Sequence, residues 1–131
     1  MRVLVDTPIW SLLFRRSRGY GPEVDRLREL IEQGQAILIG PVRQEVLSGI
    51  RGADQFIRVR DALRAFADHP ITVPHFERAA EFYNTCRTRG IQGSNTDFLI
   101  CALADLDQLH IFTTDKDFSF FARYLPIRLL S

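Results

Sequence analysis

Arg2-Val3-Leu4-Val5-Asp6-Thr7-Pro8 is the stretch on which the reading of the fold turns. A short unbroken apolar run reads as a strand buried on both faces, the habit of parallel sheets, and Asp-Thr-Pro after it reads as a turn into a helix. The same alternation continues downstream. Pro22 opens a helical pattern over 22–33 with Val24, Leu27, Leu30 and Ile31 on one stripe, and Gly34 stops it. Ala36-Ile37-Leu38-Ile39 reads as a second strand; Pro41 then starts a helix that carries Glu45 one turn in and loosens at Gly49 and Gly52. Residues 53–67 gather Phe56, Val59, Leu63 and Phe66 on one face, and 74–89 gather Phe76, Ala79, Ala80 and Tyr83, which predicts two amphipathic helices covering a sheet.

From about 95 to 106 the pattern changes. Phe98-Leu99-Ile100-Cys101-Ala102-Leu103-Ala104 is apolar nearly all round, so this helix must be buried on most sides. A strand at 110–113 leads into the turn Thr114-Asp115-Lys116-Asp117-Phe118, and Pro126-Ile127-Arg128-Leu129-Leu130 supplies a last edge strand. This order of elements predicts an α/β fold with a parallel sheet and helices on both faces.

Length and composition agree. A chain of 131 residues, 46% hydrophobic and without linker, repeat or low-complexity segment, is expected to form one domain over 1–131 with a proper core. Cys86 and Cys101 fall inside helical patterns without zinc-knuckle spacing, and read as reduced core thiols of a cytoplasmic protein. Asp6 and Pro8 interrupt the apolar start, so neither a signal peptide nor a membrane span fits. Net charge is +1, yet all but Lys116 of the 17 basic residues are arginine. The planar guanidinium fork suits phosphate, although the codon usage of a high-GC genome gives the same bias.

Acids occupy the exits of all three strands and the mouth of the buried helix: Asp6, Glu45, Asp97, and Asp115 with Asp117. Singly, each has a plain structural role. Asp6 is a good N-cap ahead of Pro8, Glu45 a solvated helix residue, Asp97 the partner of Ser94 in a capping box, and Asp115 and Asp117 turn residues. Capping does not require them to coincide, however. In open parallel sheets ligands bind beyond the carboxyl ends of the strands, and a set of oxygen-only ligands there suits a hard cation such as Mg²⁺.

The apolar run with Asp6-Thr7, Glu45 with Gly49, the stretch Thr96-Asp97-Phe98-Leu99-Ile100-Cys101-Ala102-Leu103-Ala104, and Thr113-Thr114-Asp115-Lys116-Asp117-Phe118 together resemble the ordered motifs of the PIN domain family, from residue 2 to the end of the chain. The size resembles in particular the VapC toxins of toxin–antitoxin pairs. The resemblance implies a three-layer α/β/α domain with a short central parallel sheet. It also implies an endoribonuclease dependent on Mg²⁺ or Mn²⁺, usually a homodimer, held inactive by a small VapB-type antitoxin. By position, Asp6, Glu45 and Asp97 match the family's metal-site acids. Either Asp115 or Asp117 supplies the fourth, Asp115 being favoured because it leaves the strand first. Thr113 matches a supporting hydroxyl and Thr7 is placed to do likewise. Asn95 either caps the helix or contacts metal-bound water or substrate.

Such a site activates a water for in-line attack on a phosphodiester, and calls for no histidine or serine nucleophile. His69, His75 and His110 show no partner pattern and read as structural or surface residues. Haloacid-dehalogenase-like phosphatases need Asp-x-Asp where this chain has Asp6-Thr7-Pro8, and receiver domains need a phosphoacceptor Asp where it has Gly40-Pro41. A PIN fold serving only as an RNA- or protein-binding module is the remaining alternative; its mark is missing acids, and none is missing. Finally, Trp10, Leu12, Leu13 and Phe14 crowd ahead of Arg15-Arg16-Ser17-Arg18, and Phe118, Phe120, Phe121 and Tyr124 crowd the C-terminal region. These are core packing, or an exposed apolar groove for an antitoxin segment.

Overall fold

The first strand, β1 (Val3–Val5), is wholly buried and lies at the centre of a three-stranded parallel sheet. The structure, a computed structural model, describes residues 1–15 and 21–130. After β1 come α1 (Thr7–Leu13) and α2 (Pro22–Glu32), then β2 (Ala36–Ile37). Four helices follow: α3 (Gly40–Ser48), α4 (Ala53–Leu63), α5 (Val73–Thr88) and α6 (Asn95–Leu106). The chain closes through β3 (His110–Phe112) and a short α7 (Asp117–Phe121). The strand order is β2-β1-β3, with Leu4 opposite Ile37 on one side and Ile111 on the other.

That order decides where a ligand can sit. The connection from β1 to β2 moves one way across the sheet, and the connection from β2 to β3 moves back over β1. Crossovers between parallel strands are right-handed, so opposite directions of travel put the two sets of helices on opposite faces. The chain therefore parts between β1 and β3, and the carboxyl ends of those two strands border an open crevice.

Local chemistry explains the helix ends. Asp6 caps α1 and Pro8 sits in its first turn; Glu23 and Asp25 lie at the positive end of α2, and Gly34 takes the left-handed turn beyond its C-cap with φ 68°. Ser94 and Asp97 form a reciprocal capping box at the start of α6, and residues 98–104 are all buried, as their composition requires. Trp10 has no exposed surface; its indole N–H donates to the Val5 carbonyl at 3.2 Å and its ring meets Phe66 edge-on at 5.0 Å. This one side chain pins α1 to the exit of β1. Cys86 and Cys101 are free and buried, as expected of core thiols.

Several expectations need correction. Only Ala36 and Ile37 of the second strand pair with β1; Leu38 instead makes a parallel bridge to Asp68, and its carbonyl accepts from His69 N at 2.8 Å. The last edge strand reduces to a bridge between Ile111 and Leu129, because only the Arg128 carbonyl and the Leu130 N–H reach Ile111. The helices expected over 53–67 and 74–89 pack chiefly on other helices, α4 against α3 and α5 along α6. Strands of two or three residues leave little sheet to cover. Of the crowded aromatics, Trp10, Phe118 and Phe121 belong to the core, whereas Phe120 and Tyr124 are exposed. Arg16, Ser17 and Arg18 lie outside the described residues. Among the described residues no helix is long and apolar enough to cross a membrane.

Candidate functional site

Asp6 leaves β1 directly into the crevice and is 4% exposed. Its backbone N–H donates to the Phe112 carbonyl at 2.9 Å, which ties the exits of β1 and β3 together. Its side chain is held from both sides: Oδ1 accepts from the Thr7 N–H at 2.8 Å and Oδ2 from the Thr113 hydroxyl at 2.8 Å. Thr113 in turn accepts from the Asp115 N–H at 2.9 Å, and Asp115 Oδ1 accepts from the Asp117 N–H at 2.9 Å. A chain of hydrogen bonds thus runs from Asp6 through Thr113 to the turn after β3.

The other two acids arrive from helices. Glu45 lies in the middle of α3, and its Oε1 accepts from the Thr7 hydroxyl at 2.6 Å. Asp97 lies in the first turn of α6; its Oδ2 accepts from Ser94 N–H at 3.0 Å, while its own N–H donates to Ser94 Oγ at 3.1 Å. Capping and clustering prove compatible. Each of Glu45, Asp97 and Asp115 has one oxygen pinned by a neighbouring donor, and the other has no hydrogen bond among the described residues.

Electrostatics show which acids share a field. Burial pushes the Asp6 carboxyl up to about 6, against the hydrogen bonds from Thr113 and Thr7, and the charges of Asp97 and Asp115 push it further. Asp97 is also raised, by burial first, with Asp115 and Glu45 adding to it against the Ser94 hydrogen bonds. The structure therefore places Asp97 and Asp115 close enough to Asp6, and Asp115 and Glu45 close enough to Asp97, for their charges to be felt. Asp117 is exposed at the start of α7 and meets the group only through its backbone bond to Asp115. Asn95 is an exposed first residue of α6 and does not cap it, Ser94 holding that position.

The donor chemistry fits a hard cation, since every candidate ligand is an oxygen and the buried Asp6 carboxylate has no cationic partner among the described residues. As the side chains stand, no group of three or more His, Cys, Asp or Glu residues among those described is arranged to hold a metal ion.

The histidines have a partner that the sequence concealed. His69 Nε2 and His75 Nε2 both contact Asp107 Oδ2, at 2.7 and 2.9 Å. Thr72 N–H donates to His75 Nδ1 at 2.9 Å, so in the neutral ring Nε2 carries the proton and points it at Asp107. Burial alone would raise Asp107, but its bonds to the two imidazoles outweigh that and hold the carboxyl below its usual range. Separations of 38 and 32 residues hid this knot from any local pattern. It fastens the segment ahead of α5 to the end of α6.

A fold in which β1 and β3 carry acids to one crevice, with helix α6 delivering another, is that of a known family. A model described as PIN domain matches residues 3–124, and the chain belongs to the PIN domain family. Among solved structures, FitAcB from Neisseria gonorrhoeae is similar with a TM-score of 0.79 at 20% identity, over 98% of this chain and 96% of that one. VapBC2 from Rickettsia felis, bound to a DNA fragment from their promoter, gives 0.78 at 17% identity, over 100% and 98%. A toxin–antitoxin complex from Klebsiella pneumoniae gives 0.61 at 25% identity, over 89% and 90%. No curated protein matches the chain.

Proposed function

We propose that the chain is a Mg²⁺- or Mn²⁺-dependent endoribonuclease, the toxin of a VapBC-type pair, which hydrolyses RNA phosphodiester bonds in the cytoplasm. One observation carries this reading: four carboxylates from four separate segments share one field at the crevice between β1 and β3, and the most buried of them, Asp6, has no cation beside it among the described residues. Asp6, Glu45, Asp97 and Asp115 would hold the ion, with Asp117 in reserve as an exposed neighbour. A bound divalent cation supplies an activated water and neutralises charge developing on the phosphodiester.

The chain's own residues do the rest. Thr113 holds Asp6 and the backbone of Asp115 in one arrangement, and Thr7 holds Asp6 and Glu45. Asn95, exposed beside Asp97, is placed to contact substrate. His69 and His75 are committed to Asp107 and are not called on. Incubating the pure chain with total cellular RNA tests the reading. Cuts are expected with Mg²⁺ or Mn²⁺ and none in excess chelator; cutting that persists in chelator, or no cutting with either ion, would sink it.

Partners follow from the same reading. The similar structures include VapBC2 and a toxin–antitoxin complex, which supports a small VapB-like antitoxin here. Expressing the chain alone should arrest growth, and co-expressing that partner should relieve it; unimpaired growth without the partner would count against the toxin role. A homodimer is also proposed. The outer face of α5 exposes Val73, Phe76 and Tyr83 at 68%, 56% and 38%, with the small Ala79 and Ala80 between them. Small residues flanked by aromatics let two copies of one helix approach closely about a two-fold axis. Phe76→Glu should convert a dimer into a monomer in sedimentation at micromolar concentration; a wild-type monomer would refute the assignment.

A further inference from the structure

The acids pose a problem for a ribonuclease. Four carboxylates repel the polyanion they are meant to cut, so something nearby must draw the RNA in. A cleft of ≈ 280 Å³ adjoins them, lined by Phe14, Arg15, Glu45, Ile50, Arg51 and Gln55 among others. Glu45 belongs to both the cleft and the acid group. The Gln55 side-chain amide donates to the Phe14 carbonyl at 3.4 Å and joins α4 to the end of α1 across the cleft.

Arg15 and Arg51 are exposed there, and neither side chain has a hydrogen-bond or ion-pair partner among the described residues. Some arginines elsewhere are neutralised, Arg43 by Asp68, Arg60 by Asp61 and Arg78 by Asp105, and Arg87, Arg89 and Arg123 lie over aromatic rings. Arg15 and Arg51 both line this one cleft, and neither is paired with the Glu45 carboxylate that shares it. Each offers a planar fork that matches phosphate oxygens.

We infer that Arg15 and Arg51 form a phosphate seat for the RNA, holding a phosphodiester next to the one cut on the Glu45 side of the acids. The inference rests on the ribonuclease reading. Both are positioning residues: they offset the charge of the acid edge and fix the strand beside it.

The test is the binding of a short single-stranded RNA oligonucleotide in chelator, measured by fluorescence anisotropy across a range of salt. Wild type is compared with Arg15→Gln, Arg51→Gln, the double variant, and Arg26→Gln as a control at a residue paired with Glu29. Removing one guanidinium that neutralises a phosphate should lower the salt slope by about 0.7, so the double variant should drop by about 1.4 while the control keeps the full slope. Arg→Lys at either position should restore the slope, since the charge returns. With Mg²⁺ the double variant should raise KM on the order of tenfold, with a smaller change in kcat. Matching thermal melts exclude misfolding as the cause.

A double variant whose salt slope equals that of wild type overturns the seat, as does one that loses affinity for an acidic peptide but not for RNA. Such a result leaves the ribonuclease reading intact. A wild-type chain that neither binds nor cuts RNA overturns both.

Discussion

Asp6→Asn and Asp97→Asn should each lower RNA cleavage in Mg²⁺ by at least ~10²-fold, the scale of losing one major electrostatic contribution to a transition state. Asparagine keeps the size; at position 6 its one oxygen can still accept from the Thr7 N–H, while its NH2 meets the Thr113 hydroxyl, which must then accept rather than donate. At position 97 an amide oxygen can still accept from the Ser94 N–H, and the backbone N–H of residue 97 still donates to Ser94 Oγ, so both halves of the capping box survive while the charge is removed. Loss of cutting without a fall in melting temperature in chelator would separate the two roles of that residue. The fourth acid divides in the same way: Asp115→Asn should be severe and Asp117→Asn mild, because only Asp115 adds its charge to the field of Asp6 and Asp97. Single-turnover cleavage of a labelled RNA provides the measurement. Near-full activity in both Asp6→Asn and Asp97→Asn would leave the fold as a binding module.

Without a divalent ion, the protein should lose stability as pH rises from about 4 to about 6. Asp6 titrates near 6 in the folded chain against an ordinary 3.8. The folded state therefore binds more protons in that window, and stability falls with pH there. The full gap is worth about 3 kcal/mol. Asp97, also raised, acts in the same direction. Asp107 acts oppositely and lower down: its carboxyl is depressed, so its contribution is present above 3.8 and is lost as pH falls below that. In chelator at pH 7, Asp6→Asn should thus melt above wild type, whereas near pH 4 the two should converge. Magnesium at ~100 times its dissociation constant should return about 2.7 kcal/mol to wild type and little to the variant. Melts that are flat between pH 4 and 7 in chelator, with no gain from Mg²⁺, would mean that these acids bear no mutual strain.

Much of the fold is legible in the sequence because its signals are local. The run Val3-Leu4-Val5, the Ser94–Asp97 box and the all-apolar helix after it each identify an element without reference to the rest, and α6 ends where its pattern does. The departures share a cause. Leu38 bridges to Asp68 and Ile111 to Leu129, and which edge a residue pairs with depends on partners far along the chain. α7 looks like a turn in sequence because five residues starting at Asp117 carry too few positions to show a helical period. Asp6 and Asp115 are legible together because the exits of β1 and β3 in a parallel sheet point one way; Glu45 and Asp97 come to them from α3 and α6. How they are held is not: Thr7 bridging Asp6 and Glu45, and Thr113 bridging Asp6 and Asp115, join segments that sequence alone does not bring together.

Placing the first strand at the centre of the sheet has a consequence for synthesis. Asp6 leaves the ribosome long before the Phe112 carbonyl, which accepts the backbone bond that fixes it. The hydroxyl that holds its carboxylate comes from Thr113. No nascent chain shorter than this can set Asp6 beside Asp115, whatever its helices have already formed. Asp6 and Asp115 therefore come together only after the chain has been made as far as β3 and the turn beyond it. A chain that ends before Asp115 lacks one of the four acids and, on the proposed reading, cannot assemble the ion site.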